Sequence, residues 1–173
     1  WLARWRTPGL EPAQLREAAA NELASLQDAI DPYHQAFVTD PAAHYPGINS
    51  LTLHMVLKDL GGDVSATVVN NLAGGVLWAA LSQQKRQPRD YWARATYAEL
   101  CLLLNPKDAV MREYRAAVAA ANRDWFALDS TRQTLLLLRD LAFRPEETAA
   151  ALAIVNAEIA RLTPPFVPRQ VFL

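Results

Sequence analysis

Two pairs of side chains recur at one spacing in the second half of the chain and have the chemistry for binding. The step along the chain from Trp92 to Trp125 is the same as the step from Glu99 to Arg132. A carboxylate on an apolar helical stripe is costly unless it is paired. Because stacked equivalent helices would bring Glu99 and Arg132 together, we predict a contact between them. This contact would be either a salt bridge between repeats or the polar floor of a binding site.

Further polar side chains interrupt the same apolar stripes. Thr96 lies one helical turn before Glu99, and a polar cluster precedes the apolar run at 135–138, formed by Ser130, Thr131, Gln133 and Thr134. A helical hydroxyl group can bond to the carbonyl four residues earlier, which would require no ligand. An inward-pointing Gln133, by contrast, would need a partner for its amide.

The sequence gives little support for metal binding, disulfide formation or catalysis. His34, His44 and His54 lie ten residues apart with no carboxylate at ligand spacing, so we predict no metal site. Cys101 is the only cysteine, which excludes an intrachain disulfide, and its apolar neighbours indicate a buried small side chain. Phosphate-binding glycine loops and nucleophile elbows are absent from the sequence. We therefore predict a non-catalytic protein without a cofactor.

Composition indicates a soluble globular protein. The 173 residues are 51% apolar and 20% charged, with a net charge of −1. This balance offers no electrostatic footprint for nucleic acid or an anionic membrane. The longest apolar run, 72–81, is too short to span a bilayer. With a single cysteine, a reducing compartment is favoured, and we expect a cytoplasmic location.

Helical periodicity extends through almost the whole chain, with no convincing pair of alternating strands. We predict a helix over 12–30 that Asp31-Pro32 ends, a glycine stop at Gly61-Gly62, a helix start at Pro145, and N-caps at Asp63, Asp90 and Asp124. The string "YPGIN" at 45–49 reads as a turn at Pro46-Gly47 followed by an N-cap at Asn49.

Short connections between helices favour antiparallel hairpins, and a unit of about 34 residues is the tetratricopeptide period. We predict an all-α fold in which helical hairpins stack as a tetratricopeptide-like right-handed array with a concave groove. Residues 1–30 would form an N-terminal helix or linker region, 31–162 the helical domain, and 163–173 an extended tail. The missing initiator Met and the apolar end at 171–173 indicate a piece of a longer protein with a following domain.

Three short motifs occur in the order and approximate spacing of a known family. They are carried by Tyr45, Gly47, Ile48 and Asn49, then by Tyr91 and Trp92, and finally by Ser130 and Gln133 before a leucine run. The region 31–143 resembles the TRAFs-binding domain, which is tetratricopeptide-like. This domain lies in the central regulatory part of apoptosis signal-regulating kinases and in bacterial signalling and defence proteins.

The resemblance implies regulation rather than catalysis. The module would bind a partner protein or an attached effector domain, or would sense a nucleotide-derived small ligand, and would thereby control the effector. Arginines beside aromatic rings suit a ligand with phosphate and base. The candidates for the concave binding face are Tyr45, Asn49, Trp92, Arg94, Thr96, Glu99, Trp125, Ser130, Arg132 and Gln133. The alternatives are a pure interaction scaffold without a small ligand and, less favoured, a fragment of an unfamiliar enzyme.

Overall fold

The described part of the chain, residues 1–162 of a computed structural model, is all-helical. Within this range no helix combines the length and apolar character needed to cross a membrane. The predicted extended tail at 163–173 lies outside the described residues. The helices are α1 (Leu2–Trp5), α2 (Pro12–Ala20), α3 (Leu23–Thr39), α4 (His44–Asp59), α5 (Ala66–Arg86), α6 (Tyr91–Leu104), α7 (Lys107–Ala120), α8 (Trp125–Asp140) and α9 (Pro145–Leu162).

Three hairpins build the array: α4 with α5, α6 with α7, and α8 with α9. Helix α6 packs against both α4 and α8, whereas α7 packs against α9. The first helix of each hairpin therefore lies on one side of the array, and the predicted all-α stack of hairpins is confirmed. Stacking is required because no single hairpin can bury its own apolar face.

Capping residues start and stop several helices where the sequence predicts. The Asp90 side chain accepts a hydrogen bond from the Ala93 amide at 3.1 Å, and Asp124 accepts one from the Ala127 amide at 3.0 Å. Each bond satisfies a backbone donor that the first helical turn leaves free. Gly61 has a φ of +95°, which favours glycine and ends α4.

The predicted break at Asp31-Pro32 is wrong, because α3 continues through Pro32 to Thr39. A proline inside a helix removes one backbone hydrogen bond and costs about 3 kcal/mol. Leu26 and Ile30 before the proline and Phe37 after it are all buried in the core. Burial of this apolar stripe outweighs the loss at Pro32, and tertiary packing thus overrides the local signal.

The predicted turn at Pro46-Gly47 is also wrong, since α4 begins at His44 and includes both residues. Pro46 lies in the first turn, where backbone N–H groups have no intrahelical partner to lose. A Cβ atom at position 47 would lie 2.7 Å from the Phe37 ring and 2.8 Å from a Val76 methyl group. Glycine therefore permits the close approach of α3 and α5 to α4, rather than a turn.

Two more predicted boundaries are wrong. The helix predicted over 12–30 is divided, because α2 ends at Ala20 and α3 begins at Leu23. Helix α5 begins at Ala66 with Ser65 in the N-cap position, so Asp63 is not its cap. Two polar residues stand near the start of each helix, Asn21 and Glu22 before α3 and Asp63 and Ser65 before α5. The sequence does not show which of them takes the N-cap position.

The N-terminal segment packs against the array and against α8. Trp5 and Ala19 are buried in the common core. The Arg6 guanidinium donates two hydrogen bonds to Asp140 Oδ2, at 2.9 and 2.6 Å. Arg16 donates to Asp59 Oδ2 at 2.5 Å and to the Leu141 carbonyl at 2.8 Å. Residues at opposite ends of the described chain are thereby held together.

Candidate functional site

Helices α4, α6 and α8 bring one face each to a shared groove. Asp90 caps α6 and Asp124 caps α8, so residues that lie equally far beyond these two caps hold equivalent positions on the two helices. Thr96 on α6 thus corresponds to Ser130 on α8, and both side chains line the groove.

A small polar cavity of about 70 Å³ lies in this groove. Its lining combines hydroxyl groups, an amide and a carboxylate with two aromatic side chains at the rim. The lining residues are Tyr45, Ile48, Asn49, Trp92, Ala95, Thr96, Glu99, Ser130, Thr131 and Thr134. Six of the ten predicted candidates, from three separate helices, are therefore brought together here.

Glu99 is the one carboxylate among the described residues that line the cavity, and it is partly buried. Thr52 on α4 donates a hydrogen bond to Glu99 Oε1 at 2.6 Å. Burial raises the pKa of Glu99 to about 7, although the hydrogen bond from Thr52 acts in the opposite direction. At neutral pH the cavity therefore holds a carboxyl group that can change its charge.

The hydroxyl groups around Glu99 are held by neighbouring side chains. His44 Nδ1 lies 2.9 Å from Thr96 Oγ1. The Tyr91 hydroxyl group lies 2.6 Å from Thr131 Oγ1 and donates to the Ala127 carbonyl at 3.2 Å. These bonds fix the orientation of the polar wall before any ligand binds.

Aromatic rings remain exposed at the mouth of the cavity. The exposed fraction is 39% for Trp92 and 56% for Tyr45. Asn49 donates a hydrogen bond from its side chain to the Tyr45 carbonyl at 2.8 Å, so its amide is engaged within α4. An aromatic rim over a polar floor suits a ligand that carries both apolar and polar groups.

A larger cavity of about 550 Å³ continues the groove toward the N-terminal segment. Asn49 and Thr134 line both cavities, which makes the groove continuous. The larger cavity also contains the predicted candidate Gln133. Its remaining lining comes mainly from α1, α3 and α4 and is more apolar, with Trp1, Leu2, Tyr33 and Leu53 among its residues.

Three predicted candidates lie outside both cavities. Arg94 donates two hydrogen bonds to the Pro88 carbonyl, at 2.9 and 2.8 Å. Arg132 pairs with Asp129 one turn earlier on the same helix. Trp125 begins α8 and is 48% exposed.

The predicted Glu99–Arg132 contact is wrong, because Glu99 bonds to Thr52 and Arg132 to Asp129. The error comes from the spacing of the two tryptophans, which is one residue shorter than the spacing of the caps Asp90 and Asp124. Counted from the caps, the residue equivalent to Glu99 is the next one along the chain, the glutamine at position 133. A shift of one residue rotates a side chain by about 100° around a helix, which turns Arg132 away from the groove.

Thr52 is the residue at the site that the sequence analysis missed. A helix begun at His44 places Tyr45, Asn49 and Thr52 at intervals of four and three residues, on one face. The false turn at Pro46-Gly47 concealed this pattern. Thr131 and Thr134 were visible as a polar cluster, but nothing in the sequence indicated which of its members face α6.

Other groups with reactive side chains are accounted for by packing. The His34 and His54 rings lie 5.6 Å apart, and His54 Nδ1 donates to the Ser50 carbonyl at 2.7 Å. Burial lowers the pKa of His54. Cys101 is buried as predicted, and burial raises the pKa of its thiol. Between residues 1 and 162, no group of three His, Cys, Asp or Glu side chains is arranged to hold a metal ion.

An all-helical stack of hairpins with a polar groove along its inner helices defines a helical-repeat domain. The model of the MAP3K TRAFs-binding domain family matches residues 14–156, and the chain belongs to this family. The resemblance found in the three sequence motifs is thereby confirmed. No curated protein and no solved structure matches the chain.

Proposed function

We propose that the groove binds a segment of a partner protein and that the domain is a non-catalytic regulatory module. The family is named for binding TRAF proteins, which favours a protein as the occupant. Binding would be relayed to an attached effector domain. The N-terminal segment offers one route, since Trp1 and Leu2 line the larger cavity and would touch the occupant.

The continuity of the groove carries this proposal. The two cavities share Asn49 and Thr134, so together they form an elongated surface along α4 and α8. An elongated groove with an apolar part and a polar part suits a peptide segment, whose alternate side chains require different environments. A compact ligand would use only part of this surface.

The charges in the groove favour a peptide over a phosphate-bearing ligand. Arg132 and Arg94, which the sequence suggested as phosphate ligands, bond to Asp129 and to the Pro88 carbonyl instead. Arg6 lines the larger cavity but is paired with Asp140. The carboxyl group of Glu99, in turn, would repel a phosphate.

Trp92 and Tyr45 nevertheless expose rings that could stack on a base, so a nucleotide-derived ligand is the second candidate. Thermal melting with a panel of nucleotides tests it. A nucleotide at about 100 times its dissociation constant adds about 2.7 kcal/mol to stability. A shift for the wild type that is absent in Trp92→Ala would favour this candidate.

Selection from a displayed random peptide library tests the main proposal. Gln133→Arg places a bulky charge at the rim of the larger cavity, and the side chain is exposed, so the fold should tolerate it. Gln35→Arg is the matched control, at an exposed position on α3 that lines neither cavity.

We expect the selected peptides to bind the wild type and Gln35→Arg equally, and Gln133→Arg at least tenfold more weakly. Fluorescence anisotropy with labelled peptides would measure the three dissociation constants. If no peptide distinguishes Gln133→Arg from Gln35→Arg, the groove is not the binding surface.

A further inference from the structure

The carboxyl group of Glu99 has one oxygen atom without a protein partner in the described part of the chain. Thr52 donates to Oε1, and within residues 1–162 no other hydrogen bond or ion pair reaches this side chain. Glu99 lines the small cavity, so its second oxygen, Oε2, is available to a ligand. A partly buried carboxyl group without a cation is costly, and such groups concentrate at functional sites.

No basic side chain of the described chain neutralises Glu99. None of the described residues that line the small cavity is lysine or arginine. Burial lowers the pKa of the nearby His44, whose Nδ1 is engaged with Thr96, so this ring is neutral at pH 7. Tyr45 on α4 also lines the cavity, and Tyr91 on α6 bonds to its polar wall. On α7, burial and then the charge of Glu99 raise the pKa of Tyr114, and on α8 the Asp129–Arg132 pair lies outside the cavity lining.

We propose that the small cavity receives the ammonium group of a lysine side chain of the bound partner segment. The proposal rests on the function proposed above and names the chemistry of one contact within it. The ammonium group would donate to Glu99 Oε2 and to hydroxyl oxygens of the polar wall. It has three N–H donors, and the wall offers acceptors from four residues, Thr96, Ser130, Thr131 and Thr134.

The shape of the site favours lysine over arginine. A guanidinium group binds a carboxylate best through two parallel hydrogen bonds, which need both oxygens. Thr52 already occupies Glu99 Oε1, so a single-point contact is the better fit. A volume of about 70 Å³ admits one compact head group. At the rim, the rings of Tyr45 and Trp92 can pack against the methylene groups of the lysine.

Titration with butylammonium chloride tests the cation site directly. The probe has the length and charge of a lysine side chain, and 1-butanol is its neutral counterpart. The indole N–H resonance of Trp92 and the side-chain carboxyl resonance of Glu99 would report binding by NMR. We expect saturable shifts with butylammonium, no comparable shifts with 1-butanol, and loss of the Trp92 response in Glu99→Gln.

The pH dependence of this binding adds a second readout. With a pKa of about 7, Glu99 is ionised in about one-tenth of the molecules at pH 6 and nine-tenths at pH 8. Because only the ionised form attracts the cation, affinity should increase about tenfold over this range. In Glu99→Gln this dependence should be absent. Equal shifts with butylammonium and 1-butanol, or an unchanged response in Glu99→Gln, would overturn the proposal.

The selected peptides separate this inference from the proposed function. If a peptide requires the groove, acetylation of its contacting lysine should weaken binding at least tenfold in the wild type and little in Glu99→Gln. Peptides that require the groove but no lysine would overturn the inference and leave the proposed function standing. Butylammonium binding without any groove-dependent peptide would overturn the proposed function, and with it the assignment of the cation to a partner protein.

Discussion

Two carboxylates at different places in the molecule have opposite surroundings. Asp140, at the end of α8, accepts hydrogen bonds from Arg6 on one oxygen and from Arg139 on the other, all between 2.6 and 3.0 Å. Glu99, in the groove, accepts one hydrogen bond from Thr52 and has no cationic partner within residues 1–162. Both side chains are largely enclosed by the fold.

Asp140 is a carboxylate that stabilises the fold, whereas Glu99 is one whose ionisation the folded state disfavours. Asp140 joins the N-terminal segment to α8 through a neutralised pair, so its charge stabilises the structure. The burial of Glu99 is not offset in this way, and its raised pKa reflects the free energy that its ionisation costs. Functional sites are commonly less stable than the rest of the protein for this reason.

Asp140→Ala should have the largest effect, a decrease of about 2–3 kcal/mol in the free energy of unfolding. The substitution leaves Arg6 and Arg139 without their partner and weakens the attachment of the N-terminal segment. Urea denaturation would measure the change. Glu146→Ala, which breaks the exposed pair of Glu146 with Lys107, is the control and should lose less than about 1 kcal/mol. If Asp140→Ala has a similarly small effect, Asp140 does not stabilise the fold and does not differ from Glu99 in this respect.

Glu99→Gln should act in the opposite direction and stabilise the protein at pH 8 by about 2 kcal/mol. The folded pKa of about 7 lies above the ordinary value of 4.5. As pH increases from about 4.5 to about 7, the unfolded chain therefore loses its proton before the folded one, and the stability of the wild type decreases. Solvent in the cavity screens part of the cost of ionising Glu99, and the predicted gain of about 2 kcal/mol already allows for this screening.

Urea denaturation at several pH values would follow this change. The gain from Glu99→Gln should be largest at pH 8 and should diminish steadily toward pH 5. A loss of stability at pH 8 would show that Glu99, like Asp140, is a structural carboxylate.

Thr52→Val should have the smallest effect, a loss of about 1 kcal/mol at pH 8, because it removes the single donor to the ionised Glu99. The pKa of Glu99 should increase further, since that hydrogen bond favours the charged form. NMR titration of the Glu99 carboxyl group would measure the pKa. Thr52→Ser retains the hydroxyl group and should leave the pKa close to that of the wild type. If the pKa of Glu99 is unchanged in Thr52→Val, Thr52 does not influence the ionisation of Glu99.

The capped helices illustrate how much of the fold was predictable. Asp90 and Asp124 cap α6 and α8 through local hydrogen bonds, which a sequence reports reliably because both partners lie within one helical turn. The boundaries that depended on distant contacts were wrong. Pro32 lies inside α3 because that helix buries an apolar stripe on both sides of the proline, and Gly47 lies inside α4, where glycine allows Phe37 of α3 to approach closely.

The candidate site shows the same division. Thr96 and Ser130 are polar residues on or before apolar stripes, and Tyr45 belongs to a family motif; the structure brings all three into one cavity. The partner of Glu99 was predicted wrongly because the equivalence of the two helices was taken from the tryptophans, although the caps, which the sequence also indicates, lie one residue further apart. Counted from the tryptophans, the equivalent of Glu99 is Arg132, which predicts a salt bridge. Counted from the caps it is Gln133, which leaves Glu99 without a cation among residues 1–162.

The sequence by itself determined the all-α class, the order of most helices and the family, because periodicity, capping residues and short motifs are local properties of the chain. Only the tertiary structure decided which faces of α4, α6 and α8 meet, and hence that Glu99 has Thr52 rather than Arg132 beside it. Helix rotation depends on close packing at positions such as Gly47, where one added carbon atom would collide with two other helices. Packing of this kind involves residues far apart in the chain, so its outcome cannot be obtained from local patterns.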